Sequence, residues 1–140
     1  MEASNEDGNI LEMDGSKEIG GEGKGMRPMQ LLLAAVGGCS SIDVLLMLEK
    51  QKQKVETFDV EIEGETEKVE DHKLFRTICL HFKLKGEVDM EKAARAVKLS
   101  LEKYCSVSKT LDPTAKITSK LTVNHFTIKD IHTKEDTNEG

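Results

Sequence analysis

The pattern of apolar and polar positions predicts a mixture of helices and strands. A nearly continuous apolar stretch follows Pro28, a residue suited to a first helical turn, and predicts a long helix ending at about Gln53. Alternation of apolar and acidic residues predicts a half-buried strand at Phe58–Ile62, and a second alternating run predicts a strand at Leu74–Leu84. The polar, glycine-containing stretch between these two strands predicts a turn-rich connection.

A short strand is predicted before the long helix, and a second helix and a last strand are predicted after Leu84. A short strand is predicted at Asn9–Met13, before a charged, glycine-rich loop. Asp89 is a suitable N-cap, and apolar residues at helical spacing from Met90 to Tyr104 predict an amphipathic helix that Cys105 ends. The buried face of the last strand, residues 117–128, switches near its middle, which indicates a bulge near His125.

These elements predict one α+β domain over residues 1–140, with the order β-α-β-β-α-β and an antiparallel sheet. The polar ends, residues 1–8 and 132–140, are predicted to be disordered. The long helix is apolar around most of its circumference, which is more surface than one small sheet can cover. We therefore expect a second copy of the chain to cover the rest.

Charge and cysteine content narrow the class of protein. A formal charge of −6 argues against a nucleic-acid or anionic-membrane partner. Asp43, two glycines and two serines interrupt the long helix and argue against a membrane span, because a charge at mid-span costs about 2.5–3.5 kcal/mol. The acidic N-terminus shows no signal peptide, and three cysteines do not make a disulfide framework, so we expect a cytoplasmic protein.

Two cysteines are the candidate reactive residues. Cys39 lies in a gap of small residues within the long helix, and Cys105 closes the second helix. Two such thiols suit a redox site, in which one is oxidised and the other traps it as a disulfide. Buried structural cysteines, which are inert, are the alternative interpretation. Cys79 is predicted to lie on the polar face of its strand.

Other residues near Cys39 have simpler interpretations. Gly37 and Gly38 each cost a helix interior about 1 kcal/mol, which predicts close packing, a kink or backbone access beside Cys39. Ser40 and Ser41 are expected to bond back to helix carbonyls rather than to a thiolate. Asp43 is expected to pair with a lysine or arginine, the alternative being that it raises a cysteine pKa.

A metal site is not expected from the sequence. The histidines show no ligand spacing with one another or with a cysteine, so neither a metal nor another cofactor is predicted. They are His72, His81, His125 and His132.

Two segments resemble the OsmC/Ohr family of bacterial thiol proteins. The run PMQLLLAAVGGC, from Pro28 to Cys39, resembles the family helix P-x-x-L-x-x-A-x-x-x-C. The run YCSVS, from Tyr104 to Ser108, resembles its C-P-x-S segment, with Ser106 in place of proline. The similarity extends from about Gly8 to Ile128. It is greatest to the branch of uncertain substrate that carries LLLAALGGC and EKYCSVS.

The resemblance implies an intertwined homodimer with two active sites at the subunit interface. Cys39 would reduce an organic hydroperoxide to the alcohol, Cys105 would resolve the sulfenic acid, and an external dithiol would restore both thiols. Met29, Leu32 and Gly38 are then expected to line the substrate pocket.

The resemblance also implies a cation that activates Cys39. In the family an N-terminal arginine has this role, held by a glutamate ten residues before the cysteine. In this chain that position is Met29, and we expect Arg27 or Lys24 to supply the charge, the alternative for Arg27 being a solvated residue at a helix start. Two other functions remain open: a non-catalytic dimer that binds an apolar ligand in the interface pocket, and a redox-sensing or structural dimer.

Overall fold

The structure, a computed structural model, describes residues 1–130, so the predicted disorder over 132–140 lies outside the described residues. The chain, predicted as one domain, divides into two compact units, Met1–Ala34 and a larger unit that begins at Ala35.

The N-terminal unit begins with a small hairpin. Strand β1 (Glu2–Ser4) pairs antiparallel with β2 (Ile10–Glu12), which places Ala3 opposite Leu11. The Asn5 carboxamide organises the turn between them by accepting the N–H groups of Asp7 and Asn9 at 3.1 and 2.9 Å. The prediction of disorder over residues 1–8 is therefore wrong, because one polar side chain orders a stretch that has no apolar pattern.

Helix α1 spans Pro28–Lys50 and crosses from the first unit into the second. It begins where predicted and ends three residues before the predicted Gln53. Lys52 adopts the left-handed conformation, with φ 60°, and its N–H donates to the Glu49 carbonyl while the Gln53 N–H donates to that of Leu48. This is the Schellman arrangement that ends helices, formed without the usual glycine.

The larger unit contains a four-stranded sheet in the order β3-β4-β5-β6. Its strands are β3 (Lys54–Val69), β4 (His72–Glu87), β5 (Lys116–Val123) and β6 (Phe126–Lys129). The predicted alternation in β4 is confirmed, since Ile78, Leu80, Phe82 and Leu84 are all buried. One face of the sheet is thus the core side, as its sequence pattern requires.

Two connections differ from the predictions. The polar stretch after Ile62 continues as strand to Val69, and the turn is confined to Glu70 and Asp71, with Glu70 at φ 56°. At the other end, Asn124 turns the chain at φ 56°, so residues 117–128 form a hairpin of two strands rather than one bulged strand.

The sheet is mixed rather than antiparallel, because β4 and β5 run parallel. Parallel neighbours need a crossover, which three helical segments supply. They are α2 (Met90–Leu99), a π-helical turn (Ser100–Tyr104) and α3 (Ser106–Leu111). Asp89 caps α2 as predicted, accepting the Lys92 N–H at 3.0 Å. The predicted single helix up to Cys105 is instead divided into α2 and the π-helical turn, and α3 follows Cys105.

Within the larger unit, α1 buries one face and exposes another. Val36, Val44 and Leu48 are fully buried or nearly so. A Cβ on Gly37 would lie 2.5 Å from Ile62 Cδ1, so this glycine permits close packing of α1 on β3. By length and composition alone α1 could cross a membrane, a test that core helices of soluble proteins also pass.

Candidate functional site

The site is built on one turn of α1. Cys39 and Asp43 are four residues apart, so their side chains project from the same face of the helix. Both are half-buried in the larger unit. This turn presents a thiol and a carboxyl group side by side, with access to solvent retained.

Cys105 comes to the site from the crossover between β4 and β5. It stands between the π-helical turn and α3, where its N–H donates to the Ser100 carbonyl at 2.7 Å. It is the N-cap of α3, and its sulfur accepts the Ser108 N–H at 3.4 Å. The Cys105 side chain is completely buried.

The two thiols lie next to each other. Cys39 Sγ, Cys105 Sγ and a carboxylate oxygen of Asp43 all lie within 4.8 Å of one another, and both cysteines are free. The prediction that Cys39 and Cys105 approach one another is confirmed. A disulfide needs its sulfurs about 2.05 Å apart, so only a small movement of the side chains separates the dithiol from the disulfide.

Asp43 differs from its prediction. Among residues 1–130 it forms no ion pair with a lysine or arginine. Its Oδ2 instead accepts a hydrogen bond from the buried hydroxyl of Ser100 at 3.0 Å. The expected pairing is wrong because α1 turns Asp43 toward the crossover, where a hydroxyl donor meets it. Ser100 has no sequence signal of its own and was not predicted.

The environment of Cys105 favours the protonated thiol. Burial raises the pKa of Cys105 to about 11. The hydrogen bonds from Ser108 lower this pKa, whereas the neighbouring Cys39 thiol raises it further. At neutral pH Cys105 is therefore a thiol rather than a thiolate. A buried thiol of this kind is a poor nucleophile, because the thiolate is the reactive form.

The serines after Cys39 behave differently from each other. The Ser40 hydroxyl donates to the Val36 carbonyl at 2.7 Å and approaches that of Gly37 at 3.2 Å, as predicted. The Ser41 hydroxyl is buried and has no hydrogen-bond partner within the part of the chain that the structure describes. Neither hydroxyl gives the geometry of a thiolate donor.

The remaining predicted site residues are divided between the two units. Gly38 adjoins Cys39 and is exposed, whereas Arg27, Met29 and Leu32 belong to the N-terminal unit. Arg27 is exposed, and its backbone N–H donates to the Gln30 side chain at 2.9 Å. The roles of these residues at the site stay predictions.

Cys79 lies apart from the cluster of ligand atoms. It is half-buried on β4, opposite Glu63 of β3 and Thr118 of β5, on the face away from the core residues. This placement agrees with the predicted polar face. Substitution of Cys79 therefore serves as a control for substitutions of Cys39 and Cys105, because all three thiols belong to the same unit.

An open groove adjoins Asp43 on the surface of the larger unit. Apolar side chains form much of its lining, and a lysine and a tyrosine stand beside them. The lining residues are Asp43, Leu46, Met47, Lys50, Gln51, Leu99 and Tyr104. The groove offers apolar surface next to the three clustered side chains.

An α+β fold in which a helix and a crossover bring two free thiols together defines a class of redox-related proteins. The sequence model of OsmC-like proteins matches residues 21–120, and the chain belongs to this family. The predicted family and the predicted α+β class are thus confirmed. OsmC-like proteins are generally soluble, and α1 is consistent with the helix of a soluble domain.

Three relatives illustrate the match. Protein YhfA of Escherichia coli strain K12 is 44% identical over 97 residues, which are 68% of this chain and 71% of YhfA. A structure solved by structural genomics is 36% identical, with a TM-score of 0.76, over 89% of this chain and 90% of its own. The organic hydroperoxide resistance protein OsmC of Legionella pneumophila is 23% identical, with a TM-score of 0.66, over 87% of each chain. At that identity the last comparison shows the fold alone.

Proposed function

We propose that this protein reduces organic hydroperoxides to alcohols with a pair of thiols. The observation that carries the proposal is the approach of Cys39 Sγ and Cys105 Sγ within 4.8 Å, from two separate elements of the fold. The name of the Legionella relative, an organic hydroperoxide resistance protein, supports this class of substrate.

The difference in exposure supports different roles for the two thiols. A hydroperoxide has to reach the first thiol from solvent, and Cys39 is half-buried whereas Cys105 has no exposed surface. Cys39 is therefore the thiol that meets the substrate. Cys105 is the resolving thiol, because a buried, protonated sulfur is protected until a sulfenic acid forms beside it.

The reaction proceeds in three steps: oxidation of Cys39, formation of a disulfide and reduction of that disulfide. The Cys39 thiolate attacks the terminal oxygen of ROOH, the O–O bond breaks, and the alkoxide takes a proton and leaves as ROH. Cys105 then attacks the sulfenic sulfur of Cys39, and the thiol proton leaves with the sulfenic hydroxyl as water. An external dithiol reduces the resulting disulfide and is itself oxidised.

Activation of Cys39 needs a positive charge, because the thiolate is the nucleophile. We assign this role to Arg27, on the resemblance to the family arginine. The organic part of the substrate is assigned to Met29, Leu32 and Gly38, and the apolar groove beside Asp43 supports a substrate with an apolar body.

We also propose that the protein acts as a homodimer. Gly38, Ile42 and Leu45 recur at helical spacing on α1 and are exposed, and Ile42 is 62% exposed. Leu46 beside them is 51% exposed. A contiguous apolar helix face of this kind marks an interaction surface in a soluble protein.

The test is consumption of an alkyl hydroperoxide with a dithiol reductant. We expect Cys39→Ser to abolish turnover, because serine cannot form a sulfenic acid. Cys105→Ser should consume one equivalent of peroxide and then stall or over-oxidise, and Cys79→Ser should match the wild type. Wild-type consumption equal to the Cys39→Ser background would overturn the proposal.

A second function is favoured by the groove beside Asp43. Binding of an apolar ligand there would need no thiol chemistry, since Leu46, Met47 and Leu99 supply the contact surface. A melting shift with a fatty-acid-like ligand that persists in Cys39→Ser would support this alternative. This alternative also predicts that the wild type does not turn over peroxide.

A further inference from the structure

The same cluster has the composition of a metal site. Cys39 and Asp43 supply a sulfur and a carboxylate oxygen from one turn of α1, and Cys105 supplies a second sulfur from the crossover. The three atoms lie within 4.8 Å of one another. We propose that Cys39, Asp43 and Cys105 bind a divalent cation of the zinc type, with one coordination position left open.

The donor set selects the kind of cation. Two thiolates and one carboxylate suit Zn²⁺ and its spectroscopic substitutes, whereas Mg²⁺ and Ca²⁺ prefer oxygen ligands alone. Tetrahedral zinc with Zn–S bonds of about 2.3 Å places two sulfurs about 3.8 Å apart, and a sulfur and an oxygen about 3.6 Å apart. The ligand atoms, which lie within 4.8 Å of one another, therefore need to approach by about 1.2 Å at most.

The burial of the three ligands suits an open coordination position. Cys105 is completely buried and closes the inner side of the cluster, while Cys39 and Asp43 are half-buried. Three protein ligands with a fourth position reached from solvent are the arrangement of catalytic zinc sites. Water or a small anionic group would take that position.

Each end of the cluster is held by an outer hydrogen bond. The Ser100 hydroxyl donates to Asp43 Oδ2 at 3.0 Å, and the Ser108 N–H points at Cys105 Sγ at 3.4 Å. Such outer-shell donors orient ligands and are a regular part of metal sites. Ser100 is itself completely buried, so its hydroxyl is fixed in place.

Metal binding at this cluster does not depend on peroxidase activity. It needs only that the two sulfurs are reduced and can lose their protons to a metal ion. Oxidation of Cys39 and Cys105 to a disulfide would remove two of the three ligands, so the metal-bound and disulfide forms exclude each other. Metal binding therefore gives a readout separate from turnover.

The experiment is an anaerobic titration of the full, reduced chain with Co²⁺, followed by displacement with Zn²⁺. We expect thiolate-to-cobalt charge-transfer and tetrahedral visible bands that saturate at one cobalt per chain and vanish when zinc is added. Cys39→Ser and Cys105→Ser should weaken cobalt binding and reduce the charge-transfer band below that of the wild type, because only one thiolate ligand remains. Asp43→Asn should weaken binding at least ~tenfold, the effect that loss of even an outer-shell partner causes.

Two controls show whether cobalt binds at the three proposed ligands. Cys79→Ser removes a thiol of the same unit outside the cluster and should bind cobalt as the wild type does. Wild type oxidised to the Cys39–Cys105 disulfide keeps every residue in place and should not bind. Absence of a saturable band in the reduced wild type, a wild-type band in Cys39→Ser, or unchanged affinity in Asp43→Asn would overturn the three-ligand site.

Discussion

The Ser100 hydroxyl donates to Asp43 Oδ2 at 3.0 Å and thereby links two residues 57 positions apart in the chain. The bond joins α1 to the π-helical turn that leads into Cys105. The same hydroxyl lies 3.4 Å from the Ser40 carbonyl, so it is positioned against α1 at two points. Through this contact the helix that carries Cys39 is fastened to the segment that carries Cys105.

Removing this link should destabilise the fold. We expect Ser100→Ala to lower the free energy of unfolding by about 1–2 kcal/mol, since it removes a buried hydroxyl that donates to a carboxylate. Urea denaturation measures the change. Ser106→Ala, an exposed serine nearby, is the control and should stay within about 0.5 kcal/mol of the wild type. Equal stability of Ser100→Ala and wild type would contradict a structural role for the bond.

Stability should fall at alkaline pH because of Cys105. Its pKa is raised to about 11 in the folded protein, chiefly by burial, so the folded state holds this proton more tightly than the unfolded chain. The resulting stabilisation is complete below the ordinary cysteine pKa of about 8.5 and is lost as pH rises through about 11.

The variant Cys105→Ala isolates this contribution. Melting temperatures of the reduced wild type should decline between about pH 8.5 and 11 more steeply than those of Cys105→Ala, which cannot titrate there. Cys79→Ala should keep the wild-type decline. Parallel curves for the wild type and Cys105→Ala would show that burial of the Cys105 thiol carries no such linkage.

Gly37 should be required for the packing of α1 on β3. A Cβ at this position would lie 2.5 Å from Ile62 Cδ1 and 3.1 Å from its Cγ1. Overpacking by Gly37→Ala should cost about 2 kcal/mol and outweigh the roughly 1 kcal/mol that alanine gains over glycine in a helix, which leaves a net loss of about 1 kcal/mol. Ile62→Val removes Cδ1, the nearest of these atoms. In that background Gly37→Ala should cost less, and the coupling in a double-mutant cycle of unfolding free energies measures the contact. Additive effects would contradict close packing between these two residues.

Local signals predicted much of the fold. The alternation in β4 and the Asp89 cap depend on neighbours in sequence, and both are confirmed. The parallel pairing of β4 with β5 was missed because it depends on where a whole crossover returns the chain. The polar residues from Gly64 to Val69 carry too little apolar alternation to be recognised as strand, since they are mostly exposed.

The site was predictable only in part, for a similar reason. The approach of Cys39 and Cys105 was predictable only from the two family-like motifs, because the separation of the two cysteines in sequence carries no information about their distance in space. Asp43 was recognisable as a neighbour of Cys39 on one helix face, but its partner was not. Ser100 becomes part of the site only when the crossover folds against α1, so no periodicity of its own segment indicates it.

The exposed face of α1 should hold two copies of the chain together. Ile42 lies on this face and is 62% exposed, and a charge at its position should disfavour an apolar interface. We expect the wild type to scatter light as a dimer at micromolar concentration and Ile42→Glu to scatter as a monomer. Phe126→Glu changes a side chain that is 73% exposed on β6, outside α1, and should remain dimeric. Circular dichroism of both variants checks that the fold is kept. A monomeric wild type, or equal dissociation by Phe126→Glu, would contradict a dimer built on α1.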